Sequence, residues 1–324
     1  AIVLLTAACA SAPPPVAAVA DPLPSWNEGP ARQSIMTFID AVTDAGGPDF
    51  VPAEQRIAVF DNDGTLWAEK PLYTQMFFVL DRVRVMAGEH PEWRQQEPFR
   101  AVLENDDEAM AAMDEAAVVQ LILATHGGLT TDEYHEAVTS WLADARHPQT
   151  GRPYTEMVYQ PMLELLEYLR ANEFRLFIVS GGSIGFMRPW TEAVYGIPPE
   201  NVVGTSFELL FRERDGSFVI DREPSVHFIN DKASKPVGIE RFIGHRPILA
   251  VGNSDGDYEM LQWTTSGGGS RLGVLVHHTD GEREWAYDRD SRQGRLERAL
   301  TDAPRYGWTV IDMARDWRVV FPPE

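Results

Sequence analysis

The sequence predicts an α/β fold, a Rossmann-like doubly wound parallel sheet with a helical block inserted after its first strand. Three observations carry this. Short apolar runs, among them Ile57-Ala58-Val59-Phe60, Leu176-Phe177-Ile178-Val179 and Ile248-Leu249-Ala250-Val251, alternate with helically spaced segments, as parallel strands covered on both faces do. Each of these runs ends in a polar loop, and in such sheets the loops past the strand ends line the ligand crevice. Between the first two runs, from Lys70 to Thr150, apolar residues recur only at helical intervals, as in Val79, Val83, Met86 and Val118, Val119, Ile122, Leu123.

The elements follow in order. Residues 1–30 read as a signal remnant and a Pro/Ala linker, without periodicity. Folded structure begins near Ser34, where Ile35, Met36, Phe38, Ile39 and Val42 have helical spacing. Residues 31–69 and 151–324 form the α/β core, and 70–150 the helical insertion. After it, Met162, Leu165, Leu166 and Leu169 mark a helix, and a strand over 175–179 ends at Ser180-Gly181-Gly182-Ser183. A single helix over 184–195 stops at Gly196. Runs 207–211 and 218–220 flank Arg214-Asp215-Gly216 and read as a hairpin through the Asp-Gly turn. Lys232 and Lys235 precede a helix over 236–243. The strand over 248–251 ends in Gly252-Asn253-Ser254-Asp255-Gly256-Asp257, and a further strand covers 272–276.

A chain of 324 residues, 44% hydrophobic, suffices for one large domain with an insertion or for two domains sharing a boundary. Its net charge of -21, with no Lys/Arg cluster to override it, argues against a nucleic-acid partner. The apolar residues Ala1–Ala8 run into Cys9 and a Pro/Ala-rich stretch, like the end of a secretory signal. Leu5-Thr6-Ala7-Ala8-Cys9 resembles a bacterial lipoprotein signal, with the leucine one place further from the cysteine than usual; the alternative is an ordinary export signal with an incidental cysteine. Cys9 is the sole cysteine, so no intrachain disulfide forms. No later apolar run spans a bilayer, so attachment would be through lipid at Cys9, and the expected location is the bacterial cell envelope, periplasmic or lipid-anchored.

Parallel strands bring three polar clusters to one edge: Asp61 with Asp63, Ser180 with its glycines, and 253–257. Together they suit phosphoryl transfer. An aspartate attacks phosphorus, a hydroxyl and glycine-freed amides hold the phosphoryl oxygens, a lysine neutralises charge and a distal carboxylate helps hold a hard cation. Lys235 is preferred over Lys232 because it directly precedes a proline suited to a first helical turn.

Asp61-Asn62-Asp63-Gly64-Thr65, Ser180-Gly181-Gly182, Lys235 before its proline, and Gly252 to Asp257 resemble the four motifs of the haloacid dehalogenase superfamily, in its phosphoserine phosphatase-like branch. The resemblance covers about Ile57 to Val276 and implies that the insertion is a helical cap. It implies Asp61 as nucleophile, Asp63 as acid and then base, and Thr65, Ser180, Gly181, Gly182 and Lys235 as phosphate-binding. It also implies Mg2+, held by Asp61, the Asp63 main-chain carbonyl and one of Asn253, Asp255 or Asp257. Asn253 departs from the pattern, standing where an aspartate is expected. The second acid, Asp63, favours phosphate-ester over dehalogenase chemistry.

The expected function is thus a Mg2+-dependent phosphatase acting on small phosphate monoesters through an aspartyl-phosphate. Phosphoserine phosphatase proper is an alternative, although export is awkward for a biosynthetic step and no cap group visibly matches an amino acid's two charges. A non-catalytic ligand-binding lipoprotein, prompted by Asn253, is another; the intact Asp61, Asp63, Ser180 and Lys235 oppose it. His277, His278 and Asp280 read as a strand-end loop rather than a zinc site. Most tryptophans read as core or cap-hinge packing, and Trp67 and Glu69 stand where the chain leaves for the insertion, within reach of substrate.

Overall fold

The computed structural model describes residues 21–323. The readings placed on the first twenty residues, the signal and the anchor at Cys9, lie outside them. Seven strands form one sheet: β1 Ile57–Phe60, β2 Arg175–Ser183, β3 Val202–Arg214, β4 Ser217–Phe228, β5 Leu249–Gly252, β6 Leu272–His277 and β7 Thr309–Asp312. Their order is β4-β3-β2-β1-β5-β6-β7, and every pairing is parallel except the β3–β4 hairpin. This is the doubly wound architecture the sequence predicts.

Side-chain alternation along β1 builds both cores. Ala58 and Phe60 face the helices Pro30–Thr43 and Gln160–Ala171, whereas Ile57 and Val59 face Ser234–Phe242, Tyr258–Thr265 and Arg298–Tyr306. Because β1 is covered on both sides, all four of its residues are buried. Phe60 stands opposite Ile178 of β2 and Val251 of β5, so Asp61, Ser180 and Asn253 follow at nearly the same level. That register is what sets the polar clusters following these strands side by side.

Five α-helices, Thr74–Met86, Phe99–Glu104, Asp107–Ala111, Glu115–His126 and Thr131–Asp144, lie between β1 and the helix Gln160–Ala171 that leads into β2. Val79, Val83, Trp93, Phe99, Val102 and Leu121 give the helices Thr74–Met86, Phe99–Glu104 and Glu115–His126 a core of their own, whereas Tyr134, Val138 and Leu142 of the last helix join the core of the sheet. The last helix starts in a capping box, Thr130 with Glu133. The hairpin clasps this block: Arg222 of β4 pairs through its main chain with Gly128 and Leu129. Among the described residues, no helix is long and apolar enough to cross a membrane.

Several expectations are corrected. The stretch 21–29, read as linker, packs on the core: Leu23 and Trp26 are buried, with Trp26 edge-on to Trp317 at 6.0 Å. The helix expected over 184–195 is two, Ile184–Met187 and Thr191–Tyr195, because Pro189 lacks an N–H and restricts the residue before it. β2 continues past Val179 through Ser183, with a register shift against β3, so the glycines lie inside the strand. The hairpin is longer than read and turns at Asp215 and Gly216, both with positive φ (50° and 79°), the type I′ requirement. β7 and the C-terminal helices were not foreseen.

Candidate active site

Three segments meet at the carboxyl edge of the sheet. After β1, Asp61 N donates to Val251 O at 2.9 Å, and the chain then turns so that Thr65 N and Leu66 N donate to Asn62 O at 3.1 and 2.8 Å. Gly64 adopts φ 73°, and a Cβ there would overlap the side chains of Asn253 and Glu69, so this turn admits only glycine. From the helix Ser234–Phe242, buried Lys235 places Nζ 2.9 Å from Asp61 Oδ1 and 2.6 Å from Asp257 Oδ1. Lys232 is exposed.

Burial and the neighbouring Asp257 hold the Asp61 carboxyl well above the usual range, against the pull of Lys235. Burial also raises Asp63, opposed first by the Trp67 indole N–H, which donates to Asp63 Oδ1 at 2.9 Å. A carboxyl raised above its ordinary range suits a proton donor. Lys235 would be depressed by burial alone, but the charges of Asp257 and Asp61 outweigh that and raise it. Trp67 is itself buried, stacked on Trp190 at 4.4 Å, so the hinge tryptophan fixes Asp63.

Ser180 is buried, its Oγ accepting Gly182 N at 3.0 Å and its carbonyl accepting Asn230 Nδ2 at 2.9 Å. A Cβ at Gly182 would stand 3.4 Å from Ser180 Oγ and 3.7 Å from Asp63 Oδ2, which locates the second segment beside the first. Gln75, from the insertion, enters the same space: its Oε1 accepts Ser183 N at 2.8 Å. Its amide nitrogen therefore faces His126 Nε2 at 3.1 Å, which accepts because burial and then Arg222 keep His126 neutral. Gln75 was missed in the sequence because a lone glutamine at a helix start carries no signal.

Thr65 does not reach a phosphate position. It is fully buried and donates its hydroxyl to Asn253 Oδ1 at 3.0 Å, so it braces the third segment instead. Asp255 leaves the metal set: its carboxylate accepts Glu297, Arg298 and Ala299 N–H groups at 3.2, 3.1 and 2.9 Å, the otherwise free donors starting the helix Arg298–Tyr306. Asp257 leaves it too, with Oδ1 on Lys235 and Oδ2 accepting Asn253 N and Ser254 N at 3.0 and 3.1 Å.

His277 and His278 diverge. His278 bonds Gly64 O at 2.8 Å and Glu284 at 3.1 Å, supporting the Asp61 turn, whereas His277 faces Asp288. Burial pulls His278 down, but Glu284 and Glu69 bring it above its ordinary value. Among the described residues, no three His, Cys, Asp or Glu side chains are disposed to hold a metal ion. A Mg2+ shell needs no such trio where one carboxylate, a main-chain carbonyl and an amide supply the oxygens, and the site fits such a shell. Two buried acids, Asp61 and Asp257, share the one buried ammonium of Lys235, with Asp63 close enough to act on Asp61, and Asp61 Oδ1 accepts no well-formed hydrogen bond. The surplus negative charge calls for a cation.

The model of the haloacid dehalogenase-like hydrolases matches residues 58–262, more than half of the chain and all of these segments. The chain belongs to that family. Among solved structures, a functionally unknown protein from Anaerococcus prevotii is 16% identical with a TM-score of 0.50, over 76% of this chain and 85% of its own. A protein of unknown function from Bordetella pertussis is 15% identical at 0.49, over 80% and 99%. A phosphoserine phosphohydrolase-like protein from Francisella tularensis is 16% identical at 0.38, over 77% and 98%. No curated protein matches the chain.

Proposed function

We propose that this chain is a Mg2+-dependent phosphatase that hydrolyses small phosphate monoesters through an aspartyl-phosphate on Asp61. The observation that carries it is the division of labour between the two acids: Lys235 lies against Asp61, and Trp67 holds the raised carboxyl of Asp63. Asp61 attacks phosphorus, and the ester P–O bond breaks as Asp63 passes its proton to the leaving oxygen. Lys235 offsets the charge gathering there, and the Ser180 hydroxyl with the Gly181 amide supplies donors to the phosphoryl oxygens, while the Gly182 amide, expected to do the same, instead holds Ser180 Oγ. Water then attacks phosphorus, Asp63 takes its proton, and the bond to Asp61 breaks to release phosphate. Mg2+, held by the Asp61 carboxylate, the Asp63 carbonyl and the Asn253 amide oxygen, would supply Lewis-acid stabilisation of the phosphoryl oxygens.

The partner is a small phosphate ester, with no nucleic acid. Export to the cell envelope belongs to the same proposal, supported by the apolar sequence running into Cys9. Asp61→Asn tests the reading. Hydrolysis of an aryl phosphate with Mg2+ should fall by about a thousandfold or more with circular dichroism unchanged. Retained turnover in that variant, or full wild-type activity in chelator, defeats it. Phosphoserine run beside aryl and sugar phosphates decides whether the amino-acid ester is preferred.

A further inference from the structure

Asn253 is a neutral side chain at a point where the site has reason to want charge. It is buried, and both ends of its amide are fixed: Thr65 Oγ1 donates to Oδ1 at 3.0 Å, and Nδ2 donates to Glu69 Oε1 at 2.8 Å. Glu69 lies 184 residues away in sequence and is itself buried. The same Oε1 accepts Tyr287 OH at 2.7 Å. The surroundings are cut to this carboxylate, since a Cβ at either Gly64 or Gly294 would overlap Glu69 Oε1.

No Lys or Arg forms an ion pair with Glu69 among the described residues. Adjacent Lys70 instead bonds Ser291 Oγ at 2.6 Å and Gln293 O at 3.1 Å and lies over the Tyr287 ring. The charges of His278 and Lys70 act on Glu69 only at a distance, and burying an acid whose direct partners are an amide and a phenol is costly unless the arrangement does something. Glu69 Oε1 accepts from both Asn253 Nδ2 and Tyr287 OH, so the NH2 end of the amide faces Glu69 and the oxygen end faces the Asp61–Thr65 turn.

We infer that Glu69 is a positioning residue for Mg2+. It fixes the Asn253 amide with its oxygen toward the turn that carries Asp61. It also supplies, one hydrogen bond behind, the negative charge that an aspartate at 253 would carry. Asn253 and Glu69 together thus replace one acid. The inference rests on the Mg2+-dependent reading above and deepens it.

Calorimetric titration of the full chain with MgCl2, without substrate, tests it. Glu69→Gln is isosteric and removes a buried charge, and it lets the Asn253 amide turn over. Mg2+ affinity should fall by about tenfold or more, as for other groups that orient a metal ligand. Tyr287→Phe removes the other hydrogen bond on Oε1 but leaves Asn253 held, and should keep Mg2+ affinity within about twofold of wild type. Glu69→Gln combined with Asn253→Asp reverses donor and acceptor and should bind Mg2+ within about threefold of wild type or tighter. That double variant also serves if Glu69→Gln alone does not fold, and a tenfold loss in it overturns the inference. If wild type hydrolyses phosphate esters with Mg2+ and Glu69→Gln binds Mg2+ unchanged, the positioning role fails and the phosphatase reading stands. A wild-type chain that neither binds Mg2+ nor hydrolyses esters overturns both.

Discussion

The indole N–H of Trp67 donates to Asp63 Oδ1 across 2.9 Å, so the residue at which the chain leaves the core for the insertion also holds the proposed proton donor. This bond is the main influence lowering an Asp63 carboxyl that burial raises. Trp67→Phe keeps the stack on Trp190 and removes the donor. The Asp63 carboxyl should then rise further, displacing the high-pH limb of the rate–pH profile toward higher pH. kcat should fall by roughly tenfold, as for one lost hydrogen bond to a buried charge. A profile that stays in place would show that Trp67 acts on packing alone.

Asp255 is a test of structure against motif. Its carboxylate holds three N–H groups at the start of the helix Arg298–Tyr306, so Asp255→Ala should cost about 1–2 kcal/mol of stability in urea denaturation. Mg2+ affinity and kcat should be unchanged. A large loss of Mg2+ affinity would return Asp255 to the metal shell.

What the sequence made legible is the part of the site carried by strands. β1, β2 and β5 are uninterrupted apolar runs closing in polar residues, and their parallel pairing alone brings Asp61, Ser180 and Asn253 to one edge. What it hid depends on contacts between distant segments. Thr65 looks like part of a phosphate loop until Asn253, 188 residues away, takes its hydroxyl. Asp255 looks like a ligand until a helix 43 residues further on presents its free amides. β7 has four residues, too few for a period to show, and the helix before it contains Pro304. The break at Pro189 was written in the chain, and there the proline rule should have outweighed the apolar spacing.

Glu69 makes the empty-handed fold pH-sensitive in a stated direction. Burial pushes its carboxyl from 4.5 up to about 7. Between those values the folded chain keeps a proton that the unfolded chain releases, so stability is greatest below pH 4.5 and is lost as pH rises through 7. The shift corresponds to about 3 kcal/mol in order of magnitude. Denaturation of chelator-treated wild type and Glu69→Gln over pH 4.5–7.5 isolates it from Asp61 and Asp63, which move the same way. The variant should gain on wild type as pH rises; parallel curves would remove Glu69 as the cause.

Arg222 connects the hairpin, the insertion and the Ser180 segment. Its guanidinium carbon lies 4.0 Å from the Tyr134 ring centroid and 4.9 Å from that of Phe207, and its Nε donates to His126 O at 3.2 Å. From His126 the contact passes through Gln75 to the Ser183 amide, beside Ser180. Arg222→Met retains much of the stem while removing the charge and the donor. It should cost about 2 kcal/mol through the lost cation–π contact and hydrogen bond. His126 is held well below its usual range first by burial and next by Arg222, so its titration, followed by NMR, should move up in the variant. Because Gln75 needs His126 Nε2 as an acceptor, protonating that ring breaks the link to Ser183. The variant should therefore lose activity on the acid side first, with KM for an aryl phosphate rising more than kcat falls; an unchanged His126 titration would uncouple the clasp from the site.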